Sequence, residues 1–304
     1  MASLESDVRR VLDLIVPKIH DLQQTTSRPI ILGITGLQGS GKSTWASKIV
    51  NLLTLDHKIR AITVSLDDFY QTHDGLISRR EKDLSNKLYR TRGQPGTHDE
   101  QVAKEFLEAV ASWDGSGELK IPSFDKSQFQ GEGDRAPESE WPRVEGKVDV
   151  VVFEGWCVGF RSLLPETVGA KHRAARTATE TSNDGESITT LADHELSHLY
   201  EVNTSLQRYN ETFMGPQHFD FMIHIDTADL RNVYHWRLQQ EHAMIKVKGS
   251  GMTDDQVRSF VRGYMPGYEL YLDGLREGFF EKGSGRQIRV VLGRGRGVES
   301  VDVL

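Results

Sequence analysis

The sequence contains a single cysteine, Cys157, so no disulfide can close within the chain. It has no apolar run long enough for a membrane span. Its first residues, Met1-Ala2-Ser3-Leu4-Glu5-Ser6-Asp7, lack the basic region and apolar core of a secretory signal. Positive charge is in deficit: 37 Lys and Arg against 44 Asp and Glu give a net charge of −7. A chain of that balance is not expected to coat nucleic acid or lie on a membrane, and any anion site in it must be local. Internal repeats are also absent. What remains is an expected soluble intracellular protein, cytoplasmic or nuclear. Its 304 residues suit one α/β domain with insertions.

Against these absences stands one dense motif. Gly36-Leu37-Gln38-Gly39-Ser40-Gly41-Lys42-Ser43-Thr44 fits G-x-x-x-x-G-K-[ST]. The apolar run Ile30-Ile31-Leu32-Gly33-Ile34 precedes it and a helical pattern from Trp45 to Leu55 follows. Strand, glycine-rich turn and helix are the context the motif needs. The glycines let backbone N–H groups converge on phosphate oxygens, and the helix start adds its positive dipole end. Lys42 supplies a point charge for the β and γ phosphates, and Ser43 a hydroxyl for Mg²⁺.

Further buried strands are expected at 61–66, 148–153, 218–226 and 287–292. The first ends at Asp67-Asp68-Phe69-Tyr70 and the second at Glu154-Gly155-Trp156. Ligands gather at the carboxyl ends of strands in open α/β sheets, which places Asp67 near the phosphates. An acid closing an apolar strand, as Glu154 does, is the type of group that holds Mg²⁺ through its water shell. Cys157 follows directly and reads as a small buried core residue.

Between these strands the chain is polar, with Arg92-Gly93-Gln94-Pro95-Gly96-Thr97-His98-Asp99 leading into a helix over 99–112, capped by Asp99 or Thr97. The other helices are expected at 4–24, 191–210, 227–247 and 253–272, with Pro266 kinking or interrupting the last. Residues 1–27 form an N-terminal helix region, 28–164 the phosphate loop, substrate loops and second acidic strand, and 196–304 the lid helix, C-terminal helix and last strand. Residues 165–195, poor in apolar groups, read as a mobile surface insertion.

One motif competes. His194-Glu195-Leu196-Ser197-His198 fits H-E-x-x-H, a zinc hydrolase pattern in which two His share a helix face and Glu195 is the base. It borders the polar insertion, lacks the extended third-ligand pattern, and leaves only Glu201 or Glu211 as unsupported ligands. It reads instead as a surface helix.

The ordered set of motifs resembles one family. Gly36–Thr44 with Ser65-Leu66-Asp67-Asp68-Phe69-Tyr70 is similar to the uridine kinase, phosphoribulokinase and pantothenate kinase group. The 92–99 run, Asp125-Lys126-Ser127, Gly131-Glu132-Gly133-Asp134-Arg135, Trp236-Arg237-Leu238-Gln239-Gln240-Glu241-His242 and Tyr264-Met265-Pro266-Gly267-Tyr268 narrow this to D-glycerate 3-kinases of the plant and fungal type. The resemblance implies a P-loop fold: a five-stranded parallel sheet between helices, with a helical lid. It implies ATP, Mg²⁺ and a small anionic acceptor. Asp67 matches the catalytic base and a metal-side position, Ser43 and Glu154 the Mg²⁺ positions, and Arg237 a lid arginine. Arg294 and Arg296 fall where the loop after the last strand approaches adenine. Tyr70, Arg92, His98, Asp99, Lys126 and Arg135 fall on the acceptor side. A kinase of the same group for a nucleoside, pantothenate or sugar, and a non-catalytic nucleotide-binding regulator, are the alternative readings.

Overall fold

The computed structural model describes residues 3–177 and 186–304. Its sheet orders six strands as β6-β5-β4-β1-β3-β2. The strands are β1 (Ile30–Gly36), β2 (Ala61–Ser65), β3 (Val150–Gly155), β4 (Phe221–Asp226), β5 (Gln287–Leu292) and β6 (Val298–Val303). The first five run parallel, as expected, and β6 adds an antiparallel edge to β5. Strands β1, β3 and β4 are buried along their whole lengths, which is why they read as continuous apolar runs rather than alternating ones.

Register brings the strand ends together. Thr35 of β1 pairs with Gly155 of β3, Ser65 of β2 with Glu154, and Gly36 with Ile225 of β4. The chain leaves β1 towards β2 on one side and later builds β4 and β5 on the other. That reversal opens a crevice at the carboxyl edge of β1.

Helices α1 (Leu4–Gln23), α2 (Lys42–Asp56), α3 (His73–Glu81) and α4 (Glu100–Ala111) belong to the first half. The second holds α5 (Pro165–Thr177), α6 (Leu196–Tyr209), α7 (Arg231–Lys248), α8 (Asp254–Arg262) and α9 (Met265–Glu277). Asp99 caps α4 through Gln101 N and Val102 N. The single helix expected over 253–272 is two, with Pro266 in the first turn of α9. Proline is tolerated there because the first-turn N–H groups have no intrahelical partner. Two short hairpins, Glu118–Lys120 with Arg143–Glu145 and Phe124–Asp125 with Asp134–Arg135, extend from this frame.

The stretch expected as a mobile insertion is structured over its described part. Helix α5 buries Val168 and His172, and Leu191 is buried beyond it. Thr190 donates its N–H and hydroxyl to Glu269 Oε1 at 2.6 and 2.7 Å. These few apolar anchors and side-chain hydrogen bonds supply what composition alone did not signal. Residues 178–185 of that stretch, and Met1 and Ala2, lie outside the described residues. Among the described residues no helix is long and apolar enough to cross a membrane.

At the end of β4, Asp226 is fully buried and accepts from Arg276 at 2.8 and 3.0 Å and from Arg289 at 2.9 and 2.7 Å. Burial opposes its ionisation, but the bonds from Arg276 and the neighbouring charges outweigh it and hold its carboxyl below the usual range. The stability from these pairs is therefore present above an unfolded value near 3.8 and lost as pH falls through the lower folded value. Asp226→Asn strands two guanidinium groups and should cost about 3–5 kcal/mol. Urea unfolding at pH 7 measures it; an unchanged midpoint would count against the cluster as a structural tie.

Candidate active site

The phosphate loop takes its shape from backbone chirality. Gly39 and Gly41 have φ of +74° and +91°, which L side chains rarely adopt. A Cβ on Gly39 would also stand 2.9 Å from the backbone joining Trp236 and Arg237. Gly41 precedes α2, and no side chain caps that helix. Its first N–H groups and dipole end are therefore open to an anion.

Glu154 gathers the loop's polar side chains. Lys42 Nζ lies 3.3 Å from Glu154 Oε2. The hydroxyls of Ser43 and Ser65 donate to Glu154 Oε1 at 3.2 and 3.1 Å. A cavity of ≈ 660 Å³ opens here, lined by Leu37 to Trp45 and by Asp67, Lys126, Glu154, Trp156, Gln239 and Arg296. Gly36 stands behind that lining, at the end of β1. Tyr268 accepts the N–H of Gln38 at 3.0 Å, pinning the loop to α9.

Of the two arginines expected near adenine, Arg296 lines the cavity. Its guanidinium bonds Gly39 O, Trp236 O and Gln239 Oε1 at 2.8, 2.9 and 2.7 Å. Arg294 is exposed and contributes its carbonyl, which accepts Trp236 Nε1–H at 2.7 Å. Arg237 does not line the cavity. Its guanidinium pairs with the buried Glu241 at 2.7 Å and lies 5.2 Å from the Phe260 ring centre.

Two adjacent acids after β2 take different roles. Asp68 turns back to accept Ser65 N–H at 3.0 Å, completing a capping box, and burial pushes its carboxyl up to about 6. Asp67 faces the cavity. Its Oδ2 meets Lys126 Nζ at 2.6 Å and its Oδ1 accepts the Tyr70 hydroxyl at 2.9 Å. Burial would raise Asp67, but the cations around it, Lys126 foremost, hold it below the usual range. It is an ionised acceptor at neutral pH.

The acceptor-side residues pack around Tyr70. Its ring stacks on His98 at 4.4 Å and meets Phe124 edge-on at 5.2 Å. Arg92 lies 5.8 Å from the Tyr70 ring centre and 5.3 Å from that of Phe124, and donates to Gly131 O at 2.7 Å. Arg135 is engaged with Tyr70 O and Asp99 Oδ2 at 3.0 and 2.9 Å. Asp99 is thus shared between that ion pair and the α4 cap.

Proton counting fixes the state of His98. The Tyr209 oxygen accepts N–H from Gly96 and His98 at 2.7 and 3.1 Å. Both of its lone pairs are used, so its own proton goes to His98 Nδ1, 3.1 Å away. His98 is therefore neutral with its proton on Nε2, in line with burial lowering it to about 4. No local sequence pattern marks Tyr209, and Ser65 enters the sequence reading only as the first residue of the 65–70 motif.

The H-E-x-x-H segment is not one helix face. His194 is extended, Glu195 is the cap residue, and α6 starts after both. His198 Nε2 lies 2.8 Å from Asp83 Oδ2. Among the described residues no group of His, Cys, Asp or Glu has metal-holding geometry. Cys157 is buried, which pushes its thiol well up and leaves it unreactive.

An anion-cradling glycine loop beside the carboxylates Asp67 and Glu154, at the carboxyl ends of β2 and β3, defines a P-loop phosphotransferase. No family model matches the chain. It is 37% identical to an uncharacterised kinase of Schizosaccharomyces pombe over 90% of this chain and 91% of that one. It is 35% identical to the chloroplastic D-glycerate 3-kinase of Arabidopsis thaliana over 81% of this chain, spanning 48% of the plant protein. The solved structure of a D-glycerate 3-kinase from Cryptococcus neoformans superposes with a TM-score of 0.86 at 30% identity, covering 98% of this chain and 99% of that one. The chain belongs to the D-glycerate 3-kinase family of P-loop kinases.

Tyr70→Phe deletes the donor that stabilises ionised Asp67. The carboxyl should then rise by roughly half to one pH unit, the equivalent of about 1 kcal/mol. The acidic limb of the kcat profile should move upward by that amount while nucleotide binding stays unchanged. An unmoved limb would show that the hydroxyl does not tune Asp67.

Proposed function

We propose that this chain transfers the γ-phosphoryl group of ATP to a hydroxyl of D-glycerate, giving 3-phosphoglycerate, in the cytoplasm. The observation that carries the reading is Asp67: ionised, gripped by Lys126 and Tyr70, and on the same cavity wall as Lys42 and Ser43. Phosphoryl transfer needs positioning and charge stabilisation more than covalent chemistry. The α2 N-terminus and the residues Gly36 to Thr44 hold the phosphates, and Arg296 borders the nucleoside end with Arg294 beside it. Asp67 takes the proton of the acceptor hydroxyl as its oxygen bonds to the γ-phosphorus and the bond to the leaving ADP oxygen breaks. Lys42 neutralises charge on the γ-oxygens.

The donor set suits Mg²⁺. A hydroxyl and carboxylates at Ser43, Glu154 and Asp67 are hard oxygen ligands, too few for an all-protein cage and so compatible with a hydrated ion shared with phosphates. Such an ion supplies charge neutralisation at the β and γ oxygens. Lys42 and Lys126 stand as the carboxylates' partners in the meantime, which supports a site built to alternate between cations.

Arg237 reaches the γ-phosphate only by leaving Glu241, a movement assigned to lid closure over bound ATP. On the acceptor side, Arg92, bonded only to the Gly131 and Glu132 carbonyls, is the cation best able to turn to a carboxylate, since Arg135 is paired with Asp99 and Lys126 with Asp67. Tyr70 and His98 form the floor beneath them. The relatives named D-glycerate 3-kinase support the anionic acceptor.

Three tests bear on this reading. Asp67→Asn should retain Mg-ATP binding and lose transfer, since an amide cannot take the proton; Asp68→Asn should remain active. Inactivity confined to Asp68→Asn would overturn the choice of base. Release of ADP should be fastest with D-glycerate among small alcohols, nucleosides and pantothenate. Arg92→Lys should raise the KM for D-glycerate roughly ten- to a hundredfold with that for ATP little changed, because an ammonium cannot reproduce the planar two-point contact. Glycerol, lacking the charge, should be a poor acceptor; equal turnover of glycerol or uridine would sink the anionic-acceptor assignment.

A further inference from the structure

A second cavity, of ≈ 530 Å³, lies between residues 87–94, helix α8 and the segment at His194. Its volume is in the range of small-ligand sites. Four of its lining residues are cations, Lys87, Arg90, Arg92 and Arg262, against one acid, Asp193. Asp193 pairs with Arg262. Lys87 Nζ reaches only the Asp193 carbonyl, at 3.4 Å, and Arg92 spends its bonds on the carbonyls of Gly131 and Glu132. Arg90 has no carboxylate partner among the described residues. In a chain of net charge −7, this concentrates uncompensated positive charge on one concave surface, where field lines focus. Thr91, Gln256 and Ser259 add hydrogen-bonding groups to the same walls.

The cavity is one aromatic ring away from the catalytic parts at two points. Phe260 lines it and carries the Arg237 guanidinium 5.2 Å from its ring centre. Tyr264 lines it and packs edge-on, at 4.8 Å, against Trp156, which borders the nucleotide cavity. One wall is the loop that carries Arg92, and the other is α8, packed on the helix that carries Arg237. An occupant bonded to both walls would tie the lid to the acceptor loop.

We propose that this cavity binds a small phosphate anion other than ATP and the acceptor, and that its occupancy sets the position of α8 and of Arg237. The di-anionic phosphate engages Lys87 and Arg90 on the loop and Arg262 and Ser259 on α8, drawing them together. This holds whether or not D-glycerate is the acceptor.

The test uses the full chain with its phosphate loop filled by a non-hydrolysable Mg-ATP analogue. Inorganic phosphate is titrated calorimetrically into the wild type and into the double variant Lys87→Ala/Arg90→Ala. Both side chains are exposed and lack carboxylate partners, so the variant should keep its fold, checked by its melting temperature. Wild type should show saturable binding, weakened at least about tenfold in the variant. The KM for ATP should respond to added phosphate in the wild type and not in the variant. The acceptor KM measured without phosphate should be equal in both. The proposal is overturned if no binding survives filling of the phosphate loop, or if the double variant binds as tightly as wild type. It is equally overturned if the variant raises the acceptor KM, which would make the cavity part of the acceptor site.

Discussion

Glu154 is a carboxylate at the end of a strand buried along its whole length, and a buried charge must be met by partners. Those it receives come from two different pieces of chain: Lys42 and Ser43 from the start of α2, and Ser65 from the end of β2. One electrostatic requirement thus fixes the phosphate loop to its neighbours on the sheet. The parallel register of β1, β2 and β3 puts the three strand ends at one level, so the requirement is met without strain in the strands.

The acceptor side depends on a different kind of support. Asp67 stands on a short capped turn in which Asp68 takes the capping role. Two identical side chains side by side are therefore not equivalent: one completes backbone hydrogen bonds, the other faces the nucleotide cavity. Tyr70 fixes one oxygen of Asp67 and is itself held against His98, whose protonation is set by Tyr209. Neutral His98 adds no charge beside the base.

Two arginines near the nucleotide cavity are held by different partners. Arg237 pairs with Glu241 one turn along α7, and Glu241 also accepts Met252 N–H at 2.8 Å, tying the α7–α8 connection to the same carboxylate. Arg296, by contrast, is bonded to the phosphate loop itself at Gly39 O. Arg237 is thus held within the α7–α8 region, and Arg296 against the phosphate loop.

Much of this was legible in the chain itself. The phosphate loop, the strands that end at Asp67 and Glu154, and the break at Pro266 follow from spacing along a few consecutive residues, because backbone geometry converts local spacing directly into direction. Charge and cysteine count bounded the class. The partners were another matter. Lys126 meets Asp67 across 59 positions, and Tyr209 meets His98 across 111; neither pairing leaves a local trace. Of two arginines two residues apart, the one in a left-handed turn, Arg296 with φ of 60°, points to the cavity. The polar run after residue 165 became helix α5 because a few side chains found buried partners in distant segments. Short-range geometry determined where the chemistry sits; packing between remote segments decided which side chains hold it, since those contacts exist only once the sheet has brought the strand ends together.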